Sequence, residues 1–180
     1  MTQTLEPNAA ASTNSEVPEA QQRVDAWLAD FEAALARRDV EAAAGMFAVD
    51  SFWRDLIAFT WNIKTVEGRD AIADMLTARL HDTDPTGFRT TEEPTEADGV
   101  VSAWIAFETG VGRGIGHLRL KDEGAWTLLT AMQELKGHEE GKGTRRPQGV
   151  RHGADKNRVT WSEERANEEA ELGSARQPYV

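Results

Sequence analysis

Apolar side chains first recur with helical spacing at Val24, Trp27, Leu28, Phe31, Ala34 and Leu35, the i, i+3, i+4, i+7 stripe of a helix laid on a core. Asp39 stands as an N-cap before a short second helix that turns Ala42, Ala43, Met46 and Phe47 inward. A strand is expected at Ser51–Asp55, followed by an aromatic segment that ends at Thr65-Val66-Glu67-Gly68. A third helix is expected over Asp70–His81, with Ala71, Ile72, Met75, Leu76 and Leu80 on one stripe.

The period then changes from 3.6 to 2, because side chains of a strand alternate between two faces. Phe88–Thr95, Gly99–Thr109, Arg113–Lys121 and Ala125–Lys136 read as four strands, with turns at Asp98-Gly99 and Glu123-Gly124. Helices followed by a hairpin-spaced run of strands predict an α+β, cone-shaped fold. In it, three helices pack on a curved, mainly antiparallel sheet.

Both ends of the chain lack such a pattern. Residues 1–18 are rich in Thr, Gln, Asn and Ser and read as a disordered N-terminus, leaving 19–137 as the domain proper. Residues 138–160 carry glycines and charges without an apolar period, as linkers do, and 161–172 read as one polar helix in an extended C-terminal tail. Thr160 or Ser162 would cap that helix, Gly173 would stop it, and its Trp161 calls for a surface to bury against.

Charge sharpens this division. The formal net charge is −11, yet residues 1–136 hold 12 basic and 23 acidic side chains while 137–180 hold eight of each. Such an acidic chain is not built to coat phosphate backbones, and the basic stretch 142–158 lacks the interleaved aromatics of a nucleic-acid site. No nucleic-acid partner is expected. The absence of cysteine excludes disulfides, thiolate metal sites and a cysteine nucleophile, and fits a reducing, cytoplasmic location. No run of 18 apolar residues suggests a membrane partner.

Candidate chemistry is sparse. The histidines, His81, His117, His138 and His152, lack metal-ligand spacing, so no metal is expected. Gly110, Gly112, Gly114 and Gly116 alternate through one strand and strip one of its faces. They either make room for a ring packed from elsewhere or widen a cavity. Phe52, Trp53, Phe59, Trp61, Trp104 and Trp126 are candidates for core or for an aromatic-lined pocket. Asp55, followed by Leu56, Ile57, Ala58 and Phe59, is a carboxylate in apolar company. Two roles are open for it: a general base, or a structural group paired with Arg54, paired across the sheet or capping a turn.

The order helix, helix, Phe47-Ala48-x-Asp50-x-x-x-x-Asp55, third helix, long strands resembles the nuclear transport factor 2-like, or SnoaL-like, cone fold over residues 20–136. The stretch Arg38-Asp39-Val40-Glu41 through Met46–Ser51 is similar to ketosteroid isomerases. That resemblance puts Asp55 on the proton-shuttling aspartate but Phe31 and Gly116 on the two oxyanion donors. Losing one such donor costs about 10²–10³ in rate, so the isomerase mechanism itself is disfavoured.

A further resemblance joins Trp53-Arg54-Asp55-Leu56-x-x-Phe59-Thr60-Trp61-x-x-x-Thr65-Val66-Glu67-Gly68 and Glu134–Glu140 to the N-terminal domain of two-domain flavin monooxygenases. It implies an accessory domain, pocket-forming or dimerising, whose parent protein uses FAD and NAD(P)H while this chain binds no cofactor. The ending Gln177-Pro178-Tyr179-Val180 is expected to lead into a C-terminal flavin domain, with a homodimer and a small hydrophobic ligand as further partners. Phe31, Trp53, Trp61, Trp104, Gly116 and Leu118 would line the pocket. The alternative is a free-standing isomerase, dehydratase or cyclase with Asp55 as base.

Overall fold

The 18-residue apolar stripe near the N-terminus forms α1 (Glu19–Ala36), which buries Val24, Leu28, Phe31, Ala34 and Leu35. Asp39 caps α2 (Val40–Gly45), accepting the Ala42 N–H at 3.0 Å, as its position predicted. Then come β1 (Phe47–Leu56), β2 (Ile63–Glu67) and α3 (Gly68–Thr83). They are followed by β3 (Thr86–Thr90), β4 (Thr95–Ala97), β5 (Val100–Glu108), β6 (Gly112–Lys121) and β7 (Gly124–Leu135). A computed structural model describes residues 18–146, 149 and 159–172, so the expectations for 1–17, for most of 147–158 and for 173–180 lie outside the described residues.

The chain divides into two units, 1–140 and 141–180. In the second, a 3-10 turn at Gly143–Arg145 and helix α4 (Trp161–Glu171) are the described elements. Thr160, not Ser162, caps α4, and its side chain and that of Glu163 bond each other's backbone N–H reciprocally. Trp161 is 71% exposed, with the Arg165 guanidinium 5.4 Å from its ring centroid.

The first unit is α+β, as expected, with α1–α3 beside a seven-stranded sheet of order β2-β1-β7-β6-β5-β3, β4 pairing with β5. The sheet is mixed, because β1 runs parallel to β7 while the other pairings are antiparallel. Counting α4, the described residues form four α-helices. The strand expected at 88–95 is two strands, broken where Glu92, Glu93 and Pro94 leave the ladder. The aromatic segment after β1 contains β2, and β1 extends four residues further back than its pattern suggests.

One face of the sheet meets the helices and is closed by rings. Trp27 stacks on Phe31 (4.6 Å between centroids), Phe47 on Trp53 (5.7 Å) and Phe88 on Phe107 (5.4 Å), with Phe31, Trp53 and Phe59 linking these pairs edge-on. The alternating glycines serve this packing. A Cβ on Gly114 would overlap the Phe107 ring, and one on Gly116 would crowd Ile105 and the Leu129 carbonyl. Room for a ring packed from elsewhere is the use made of Gly114, while Gly112 and Gly116 make room for Met132 and Ile105.

Candidate functional site

Asp55 is fully buried on the inner face of β1, in register with Thr130 of β7. Its Oδ1 accepts the Thr130 hydroxyl at 2.7 Å, and that same oxygen of Thr130 accepts the Trp53 indole N–H at 2.9 Å. Its Oδ2 accepts the backbone N–H groups of Phe59 (3.0 Å) and Thr60 (2.8 Å) and the Thr60 hydroxyl (2.8 Å). The carboxylate therefore caps the turn at 57–61, which the Trp61 N–H closes onto the Ile57 carbonyl at 3.2 Å. It makes no pair with Arg54, whose side chain points to the opposite face and reaches Thr65 Oγ1 at 3.4 Å. Capping is thus the role, among those open to Asp55, that its contacts form.

The residues expected to line one pocket lie in different surroundings among the described residues. Phe31, Trp53 and Leu118 are fully buried core, and Gly116 lies beneath Ile105. Trp61 is 59% exposed at the tip of the β1–β2 loop. Trp104, 45% exposed, lies on the outer face of the sheet, which carries a pattern of its own.

Strand register sets outward-facing residues side by side in rows. One row runs Thr65, Arg54, Leu129, His117, Trp104 across β2, β1, β7, β6 and β5. The row beside it runs Ile63, Leu56, Ala131, Ile115, Ala106, Arg89, and on the other side lie Glu67, Phe52, Thr127, Arg119 and Ser102. Phe52, Arg54, Trp104, His117 and Leu129 line a groove of about 480 Å³ there. The Trp104 and His117 rings meet edge-on at 4.7 Å. Burial, and then the nearby Arg119 charge, hold the His117 imidazole below its usual pKa, so the neutral ring is favoured.

Charges gather at one margin of this face. Arg113 pairs with Glu134 at 3.2 Å and Glu139 at 3.0 Å, and Lys136 with Glu108 at 2.9 Å. Hydrogen bonds from its own backbone N–H, the Arg113 guanidinium and the Gly137 N–H pull the Glu139 carboxyl down to about 2. A second cleft, of about 420 Å³, opens between β2 and α3 beside Thr60. Among the described residues no group of His, Asp or Glu is arranged to hold a metal ion, and no helix is long and apolar enough to cross a membrane.

Sequence reasoning missed Phe52, Arg54, His117 and Leu129 as neighbours, and Lys64, Asp74 and Arg79 as one cleft. Strand parity carried part of the signal: Leu118 and Leu120 face inward, so Ile115 and His117 face out, and Trp104 opposes its inward neighbour Ile105.

No family model and no curated protein matches this sequence. Solved structures do match. A domain of unknown function with a cystatin-like fold from Nostoc punctiforme is 14% identical, with a TM-score of 0.52 over 65% of this chain and 80% of that one. A ketosteroid isomerase-like protein from Erwinia carotovora is 13% identical, with a TM-score of 0.50 over 64% and 98%. A putative calcium/calmodulin dependent protein kinase II association domain from Xanthomonas campestris is 13% identical, with a TM-score of 0.50 over 62% and 86%. At such identities the likeness is one of fold, the nuclear transport factor 2-like cone.

Proposed function

We propose that this chain is an assembly domain that pairs with a second copy through the outer face of its sheet. In this reading it serves a flavin- and nicotinamide-dependent monooxygenase as an accessory cone rather than as the catalytic centre. The observation that carries the pairing is the apolar middle of that face. An antiparallel sheet with one side on helices ordinarily turns polar side chains to water on the other, whereas here Phe52, Leu56, Trp104, Ile115, Leu129 and Ala131 lie in adjoining rows.

Charge favours a second copy as the occupant. The chain carries −11, but the outer face sets Arg54, Arg89, Arg113 and Arg119 against Glu67, Glu108 and Glu134. Two copies can meet there without pressing their acidic surfaces together. The flavin context is supported by the sequence resemblance over Trp53–Gly68 and Glu134–Glu140. FAD and NAD(P)H would then belong to a further domain of the parent protein. The isomerase-type reading has less support, since the oxygens of Asp55 are occupied by donors of its own fold.

Sedimentation of the full chain at micromolar concentration tests the pairing. A dimer is expected, and Trp104→Arg combined with Ile115→Arg gives a monomer that keeps the folded far-UV circular-dichroism spectrum and melts lower by the lost pairing. A monomeric parent chain overturns the proposal, as does a doubly substituted chain that still dimerises.

A further inference from the structure

The β1–β2 loop holds two residues in the left-handed region, Ile57 (φ 73°) and Trp61 (φ 55°). A β-branched residue there is costly, of order 1–3 kcal/mol, and persists only where its surroundings over-determine the backbone. Asp55 supplies that constraint through the N–H groups of Phe59 and Thr60. The loop so fixed forms one wall of the cleft of about 420 Å³, whose other wall is α3. Thr60 belongs to both, since its hydroxyl meets Asp55 at 2.8 Å and its residue lines the cleft.

The lining has a division of labour. Val66 and Met75 are buried and apolar, and Ala71 and Ala78, at i and i+7 of α3, are small enough to leave the space open. Lys64 and Arg79 stand at the rim. Lys64 pairs in register with Asp55 at the free edge of the sheet, and neither cation makes an ion pair among the described residues. Asp74 lines the same cleft without reaching either cation.

We infer that this cleft is a binding site for a small amphipathic monocarboxylate. The carboxylate lies between Lys64 and Arg79, and the apolar body covers Val66, Met75 and the two alanines. The volume suits a small molecule, for which pockets span about 300–1,000 Å³. Asp74 on the same rim repels a second negative charge, so dicarboxylates are disfavoured. Asp55 is then a positioning residue, holding the loop that completes the wall. The site lies apart from the outer groove and does not depend on the pairing proposed above.

The test is a titration of the full, ¹⁵N-labelled chain with sodium hexanoate, read from amide shifts. Saturable shifts are expected at residues 60–66 and 71–79, with adipate about tenfold weaker. Lys64→Met with Arg79→Met weakens hexanoate by about tenfold or more, as loss of charge-assisted hydrogen bonds does, at an unchanged melting temperature. The single variants Lys64→Gln and Arg79→Gln each show part of that loss, and serve if the double variant misfolds. The inference is overturned if shifts do not saturate, if they map to Trp104 and His117 instead, or if the substitutions leave hexanoate binding intact.

Discussion

The two faces of one sheet are built from the same strands to opposite ends. On β5, Val101, Ala103, Ile105 and Phe107 enter the core while Trp104 faces outward from their midst. Inside, apolar groups meet rings of the same chain, and the polar ones join in one network, Trp53 to Thr130 to Asp55 to Thr60. The Ser51 hydroxyl is the buried side-chain atom left without a partner among the described residues. Outside, Phe52, Trp104 and Ile115 are left more than a third exposed among the described residues. The inner face is filled by side chains of its own domain, and the outer face is the one proposed above to receive a second copy.

Asp55→Ala should break the inner face hardest. It removes the acceptor from three buried N–H and O–H donors beside the turn and from the Thr130 hydroxyl, and should cost about 3–5 kcal/mol of stability in urea melts. Asp55→Asn, which keeps the shape and one acceptor, should cost about half of that. A general base held in an open pocket would instead tolerate both changes with little loss of stability.

Overfilling the inner face comes next. Gly114→Ala drives a methyl into the Phe107 ring and should cost about 1–3 kcal/mol. Adding Phe107→Leu should return part of that loss, a coupling of about 1 kcal/mol in a double-mutant cycle. Strict additivity would mean that the two residues do not share the space.

On the outer face the expected effect is on stability and depends on pH. His117 titrates below its ordinary value of 6.5 because burial disfavours the imidazolium. Its contribution is therefore whole above that value and lost as pH falls through the lowered one. Urea melts should show stability falling as pH drops below 6.5, and His117→Gln should flatten that part of the pH dependence. An equally pH-dependent variant would place the titrating group elsewhere.

The smallest effect belongs to the margin. Glu139, depressed to about 2, adds to the anchoring of 137–140 above its ordinary value of 4.5 and loses that share as pH falls towards 2. The Gly137 amide resonance should move through this window, and Glu139→Gln should abolish the movement.

How much of this was legible in the sequence depended on how far each signal travels along the chain. β5, β6 and β7 fall within a residue or so of their period-2 runs, and Asp98 (φ 52°) and Gly99 (φ 71°) make the turn their dipeptide announced. β1 was cut short because a register shift against β7 between Phe47 and Phe52 breaks its alternation. β2 had little pattern to read, since an edge strand buries only Val66. That Asp55 would need explaining was evident from its neighbours. Its use was not, because Thr130 lies 75 residues away and joins it only through a parallel pairing. Lys64 and Arg79 sit on different elements, and only the fold brings them to one cleft.

That parallel pairing also orders events in time. β1 is made early and β7 last of the strands, yet β7 lies between β1 and β6 in the finished sheet. Until residues 124–135 leave the ribosome, the hairpin of β1 and β2 has no central neighbour, and Asp55 and Trp53 have no Thr130 to meet. Closing so long a loop must precede any reward from the contacts it makes, which places the rate-limiting step at the arrival of the last strand. A ribosome-bound chain halted before Gly124 should therefore remain protease-sensitive throughout, and one released past Leu135 should become resistant in a single step.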